Sequence, residues 1–192
     1  MEGSVMFEIF LSVVIIQRIC ELVIAKRNER WMKKQGGVEY GKPQYIFIVA
    51  VHSLFFVSFG LEVLGQKKEI APYWTILLVL FLLTQIGRVW ALLSLGKYWN
   101  TKIIVVPNAT LINKGPYKFL KHPNYLIVTI EFFIIPLLYQ AYGTLIAFSL
   151  LNALILMVRI PAEEKALCAQ TEYKELFQNK NKFLPLPFMK KM

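Results

Sequence analysis

Long uninterrupted apolar blocks recur along this chain. A block of about twenty such residues can cross a hydrocarbon core of about 30 Å as a helix. Four stretches have this character, over about 4–25, 43–64, 72–95 and 124–160. A single helix over the last would overrun a bilayer. Pro136 and the segment Tyr139-Gln140-Ala141-Tyr142-Gly143 interrupt it, so it reads as two helices joined by a tight turn. The expectation is an all-α, polytopic integral membrane protein with about five transmembrane helices. A mean hydropathy of +0.49 agrees. The N-terminus, Met1-Glu2-Gly3, has no positive region and no small-residue cleavage pattern, so the first block reads as a retained helix rather than a signal peptide.

Charge sets the expected orientation. The segments 25–42 and 96–123 and the tail from Arg159 hold 18 of the 22 lysines and arginines, whereas only Lys67 and Lys68 fall between the second and third blocks. The positive-inside rule then places the long loop and the C-terminus in the cytoplasm and the N-terminus outside. These basic residues flank apolar blocks, where anionic lipids attract them, and no nucleic-acid-binding motif accompanies them. Cys20 and Cys168 are too far apart in sequence for a metal-binding spacing, and no ligand cluster suggests a metal. The chain divides into an N-terminal three-helix membrane region, 1–95, and a second half, 96–192, of loop, helical hairpin and tail.

Several polar residues interrupt the apolar blocks. Glu8, Gln17, Arg18 and Glu21 lie in the first, and Arg18 and Glu21 are three apart, close enough to pair. Glu131 lies inside the fourth block, where an ionisable group implies either function or a buried pair, and Arg88 is a candidate partner. Asn124 and Glu131, seven apart, share a helical face. His52 reads as a packed interior histidine, and Phe55, Phe56, Phe132 and Phe133 as core or lipid-facing residues. In the loop, Ile103-Ile104-Val105-Val106 is too short to cross a bilayer and reads as a packed strand or interfacial segment.

Two polar segments carry more than solubility requires. The first is Gly115-Pro116-Tyr117-Lys118-Phe119-Leu120-Lys121-His122-Pro123-Asn124-Tyr125, two turns running into a helix whose first N–H groups favour an anionic or electron-rich ligand. The second, Arg159-Ile160-Pro161-Ala162-Glu163-Glu164, sets two adjacent carboxylates where the last block ends. Singly, each is an ordinary turn or an acidic first turn of a helix.

In order, however, Gly115-Pro116-Tyr117, Lys121-His122-Pro123, Tyr125, a hairpin, then Arg159, Glu163-Glu164, Leu167 and Tyr173 resemble the isoprenylcysteine carboxyl methyltransferase family. The resemblance covers about 96–185 and extends to the membrane phospholipid methyltransferases. It implies an S-adenosylmethionine site between the cytoplasmic loop and the tail. Gly115, Pro116, Tyr117, His122, Pro123, Tyr125, Glu163 and Glu164 would bind the cofactor, and the two acids would hold ribose hydroxyls or the methionyl amine. Arg159, Glu131 and Asn124 are the candidate catalytic residues, Arg159 balancing the acids or holding a carboxylate.

Two departures stand out. Lys121 replaces the family's usual arginine and loses its bidentate fork. Pro161 precedes the acids, where it suits the first turn of a new helix over Ala162 to Gln178.

The implied reaction transfers a methyl group to a lipophilic acceptor, small or lipid-bound, through a carboxylate, enol or phenol oxygen. A sulfonium methyl needs alignment and desolvation more than acid–base help. A carboxylate or enolate needs no base, whereas an amine or phenol must lose a proton. Phospholipid N-methylation and sterol-type NADPH reduction are the alternative activities, although Cys168-Ala169-Gln170-Thr171-Glu172-Tyr173 lacks the reductase tail pattern. A transporter would favour paired repeats, and the sequence has none.

Overall fold

The computed structural model describes residues 2–173. The far end of the expected tail helix and the Leu184-Pro185-Leu186-Pro187 stretch lie outside them. In chain order the elements are α1 (Glu2–Lys34), β1 (Val38–Tyr40), α2 (Lys42–Gly65), α3 (Trp74–Leu95), β2 (Ile103–Val105), α4 (Pro123–Leu138) and α5 (Tyr142–Gln170), with 3-10 turns at Gly96–Tyr98 and Gly115–Lys118.

The apolar blocks became helices, with two corrections. The basic segment continues the first of them: nothing in Lys26 to Lys34 breaks a helix, and α1 ends where Gly36, at φ +80°, turns the chain and Gly37 N–H bonds back to Met32 O at 2.8 Å. First, Pro161 does not begin a new helix. It lies inside α5, which continues through both acids to Gln170. Secondly, the fold is not purely helical. β1 and β2 pair antiparallel, Val38 opposite Val105 and Tyr40 opposite Ile103, so the short apolar stretch of the loop is a strand.

Helices α2, α3 and α5 are each long and apolar enough to cross a membrane. Helix α4 has 16 residues, a rise of about 24 Å at 1.5 Å per residue, short of a full hydrocarbon core. Helix α1 is long enough, but it carries the charges already noted.

The bundle is solid at one end and hollow at the other. At the solid end, aromatic rings from four helices interlock. Phe7 of α1 meets Phe59 of α2 edge-on at 5.2 Å, Phe55 tilts against Phe132 of α4 at 4.7 Å, and Phe55 meets Phe148 of α5 at 5.6 Å. Close ring packing and dispersion hold such a core where lipid tails are as apolar as the side chains. Here too Glu62 of α2 accepts hydrogen bonds from the N–H groups of Gly143 and Thr144 and from the Thr144 hydroxyl, closing the first turn of α5.

At the hollow end the sheet joins the α1 terminus to the long loop. Asn28 donates to Gly96 O and to Trp99 O, at 3.1 and 2.7 Å, and Asn100 donates to Ala25 O at 3.0 Å. Asn108 N–H bonds to Gln170 O, and the Gln170 amide donates to the Tyr40 hydroxyl. The loop, β1 and the far end of α5 therefore converge over one end of the bundle.

Candidate active site

Under that convergence lies a cavity of about 470 Å³, within the range of small-molecule sites. Its polar mouth is walled by Trp99, Thr101, Tyr117, Lys121, His122, Asn124, Tyr125, Arg159, Glu163 and Tyr173. An apolar limb then runs inward between α1 and α2, past Ile15, Ile19, Ile48, Phe56 and Val128.

The mouth is a hydrogen-bonded chain. Arg159 of α5 donates through Nε to the Tyr125 hydroxyl at 2.8 Å and through Nη2 to the Thr101 carbonyl. The Tyr125 hydroxyl in turn donates to Glu163. The His122 ring lies 5.2 Å from that of Tyr125 and nearly parallel to it, with its Nε2 3.2 Å from Glu164 Oε1 and its Nδ1 3.6 Å from Glu163 Oε2. Lys121 Nζ stands 3.8 Å from Glu164 Oε1. Asn124 Nδ2 donates to the Tyr117 hydroxyl at 3.1 Å. Burial, with the Glu163 charge beside it, pushes the Tyr117 phenol well above its usual range, so it stays protonated.

Two polar atoms at this mouth are buried and unpartnered among the described residues, Asn124 Oδ1 and Trp99 Nε1. An orphaned acceptor and an orphaned donor on residues lining one cavity are costly unless a ligand meets them.

The structure thus gathers Tyr117, His122, Asn124, Tyr125, Arg159 and Glu163 on one cavity wall, with Glu164 directly behind His122. Gly115, Pro116 and Pro123 do not line the cavity. Gly115 has φ +58°, and a Cβ there would fall 2.0 Å from Ser94 Oγ, so it seats the turn against α3. Pro123 is the first residue of α4, where its fixed φ and missing N–H cost nothing.

Glu131 sits deeper, 2% exposed and outside the large cavity. It takes Arg88, Arg18 (Nη2) and Gln85, while Arg88 Nη1 and Arg18 Nη1 also hold Glu21, at 3.2 and 2.8 Å. The expected Arg18–Glu21 and Arg88–Glu131 pairs are both present, fused into one neutral quartet. Trp99 and Thr101 were not legible as site residues, and Tyr173 entered only as the last residue of the motif, with no role. Their place depends on the loop folding back over α5, and no local pattern announces that.

The sequence profile of the isoprenylcysteine carboxyl methyltransferase (ICMT) family matches residues 76–169. The chain is 50% identical over 162 residues to the uncharacterised protein YpbQ of Bacillus subtilis, an alignment that covers 84% of this chain and 96% of that one. The chain belongs to the isoprenylcysteine carboxyl methyltransferase family. It is also 26% identical over 160 residues to an uncharacterised protein of Haemophilus influenzae, covering 83% and 93% of the two chains. Membership in the ICMT family, with three helices able to cross a bilayer, implies a membrane methyltransferase. The stretch matched to the ICMT family holds every mouth residue except Tyr173, while α1 and α2, which wall the apolar limb, lie before it.

Proposed function

We propose that this chain transfers the methyl group of S-adenosylmethionine to an oxygen of a lipophilic acceptor that enters from the bilayer. The observation that carries the reading is the joining of a donor-and-acceptor-lined mouth to an apolar limb in a single cavity. The mouth suits the cofactor's chemistry. Glu163 offers carboxylate oxygens to ribose hydroxyls or a methionyl amine, with Glu164 backing it through His122, Arg159 offers a guanidinium to a carboxylate, and Asn124 Oδ1 and Trp99 Nε1 offer one acceptor and one donor to a heterocycle. The cofactor, when bound, supplies a methyl group already activated on a sulfonium sulfur.

The protein's own work is then alignment and dehydration. Tyr125, pinned between Arg159 and Glu163, sets the spacing of α4 and α5 at the mouth. His122, stacked on Tyr125, holds Glu164 in place. The loop and β1 close over the site and keep water out, which strengthens every polar contact within it. Orientation of this kind accounts for about 7–11 kcal/mol of barrier reduction in well-aligned systems.

The same reading makes 96–192 the half that carries the chemistry and 1–95 the half that shapes the acceptor path. It has five crossings, with α1 shielding its charges inside the bundle and α4 spanning a locally thinned bilayer, the mouth in the cytoplasm and the N-terminus outside.

Calorimetry of S-adenosylhomocysteine on the detergent-purified chain tests it. Binding that His122→Ala and Glu164→Ala each weaken at least about tenfold, roughly 1.4 kcal/mol, supports the reading. A folded protein that binds none sinks it.

A further inference from the structure

A second polar layer lies about two helical turns below the mouth, and the ICMT profile does not reach all of it. The positions of Asn124 and Glu131 on α4 put the two layers about 10 Å apart at 1.5 Å per residue. Arg18 of α1, His52 of α2, Arg88 of α3 and Asn152 of α5 all meet the large cavity at this depth. An apolar limb has no need of four polar residues from four helices.

His52 is the one with unused capacity for chemistry. Its Nδ1 lies 2.9 Å from the carbonyl oxygen of Ile48, one turn back on the same helix. A carbonyl can only accept, so Nδ1 carries the proton and Nε2 presents a bare lone pair. Among the described residues Nε2 has no protein partner. The ring is held by Phe132, 5.1 Å away, and stands between the large cavity and a void of about 20 Å³, room for one water, shared with Arg18 and Glu131. The charged groups facing it are Arg18 of α1, Arg88 of α3 and Glu131 of α4, members of the neutral quartet.

Packing accounts for the ring and for Nδ1, but it leaves a bare acceptor on a residue that borders the limb through which a substrate would arrive. We propose that His52 Nε2 is the general base that takes the hydroxyl proton of a lipophilic O–H acceptor, one that is not ionised at neutral pH. This rests on the methyltransferase reading above. In the step, an oxygen lone pair attacks the methyl carbon of the sulfonium donor and an O–CH3 bond forms. The C–S bond breaks, and its electron pair stays on sulfur as a neutral thioether. The hydroxyl proton moves to Nε2, leaving an imidazolium that later releases it to water.

The test uses the full chain in detergent with 4-dodecylphenol as the protonated acceptor, dodecanoate as an acceptor needing no base, and S-adenosylhomocysteine as the mouth probe. The variants are His52→Gln and His52→Phe, the second keeping the contact with Phe132. In both, turnover of dodecylphenol is expected to fall by about 10²–10⁴-fold, the usual worth of a general base. Any turnover of dodecanoate falls far less, because a carboxylate has no proton to give up. S-adenosylhomocysteine binds as before, and calorimetric affinity for dodecylphenol in its presence drops several-fold.

Undiminished phenol turnover in a folded variant overturns the proposal, and His52 is then packing alone. So does loss of S-adenosylhomocysteine binding in either variant, since the layer would then be structural. Native protein that binds S-adenosylhomocysteine yet leaves the phenol unmethylated overturns the acceptor class while the methyltransferase reading stands. Native protein that does not bind it overturns that reading instead.

Discussion

Gly115 shows how a residue can matter to a site without touching it. Its backbone sits at φ +58°, and any Cβ would collide with Ser94 Oγ at 2.0 Å and press on Ser94 Cβ at 2.9 Å. Gly115→Ala therefore combines the left-handed penalty of about 1–2 kcal/mol with a steric clash against α3. The expected outcome is a melting temperature several degrees lower, together with weaker S-adenosylhomocysteine binding because Tyr117 follows two residues later. Adding Ser94→Gly should recover the steric part and leave the backbone part, a split that thermal melts of the single and double variants will show. The sequence marks this glycine through its place in Gly115-Pro116-Tyr117, but the reason for it, Ser94 on another helix, is a tertiary fact. Glu131 is the opposite case. Its helix and its Arg88 partner were readable from polarity inside apolar blocks, whereas Arg18 and Gln85 join it only because α1 packs where it does.

At the scale of elements, two ion-bearing junctions hold the helices in register, and both are testable. Glu62 fastens α2 to the first turn of α5 by accepting from Gly143 N, Thr144 N and Thr144 Oγ1. Glu62→Ala leaves those donors unmet, and loss of a cap of this kind costs about 0.5–2 kcal/mol. A melt in detergent measures it.

At the other end, Glu29 and Glu39 share Lys33 and Lys102, which tie α1 and β1 to the loop before β2. Burial alone would raise the Glu39 carboxyl. The hydrogen bond from Lys33 and the charge of Lys102 outweigh it and hold the group below its ordinary 4.5. A carboxyl depressed in the folded state stabilises the fold above its unfolded value and loses that contribution as pH falls through the folded one. Melting temperature should thus hold from neutrality to about pH 5 and decline below it, with a shallower decline in Lys102→Met.

Neither junction follows from hydropathy. Apolar length located α2, α3 and the hairpin to within a few residues, because crossing length is a property of the segment itself. It missed the continuity of α5 through Pro161, because there contacts from other elements decide.

At the scale of the molecule, the solid and hollow ends follow from one asymmetry. Phenylalanines, Tyr139 and aliphatic side chains fill the end near Phe7 and Phe59, while tyrosines, Trp99 and charged residues border the space at the end near Arg159. The hollow end is also where the basic segments converge, so the mouth and the positive charge belong to one face.

That arrangement makes a prediction from residues already present. Cys168 is exposed on the last turns of α5, beside the mouth, and Cys20 is exposed on α1 amid Ile16, Ile19, Val23 and Ile24, an apolar surface suited to lipid. In intact cells a membrane-impermeant maleimide should label neither, the first shielded by the membrane and the second buried in lipid. In inside-out vesicles it should label Cys168 alone, and Cys168→Ser should abolish the signal. A Gln66→Cys substitution in the Cys168→Ser background, on the turn after α2, should reverse the pattern and react in intact cells. Labelling of Cys168 from outside would invert the chain and put the mouth in a compartment without a supply of S-adenosylmethionine. One thiol therefore tests the orientation that the cofactor reading requires.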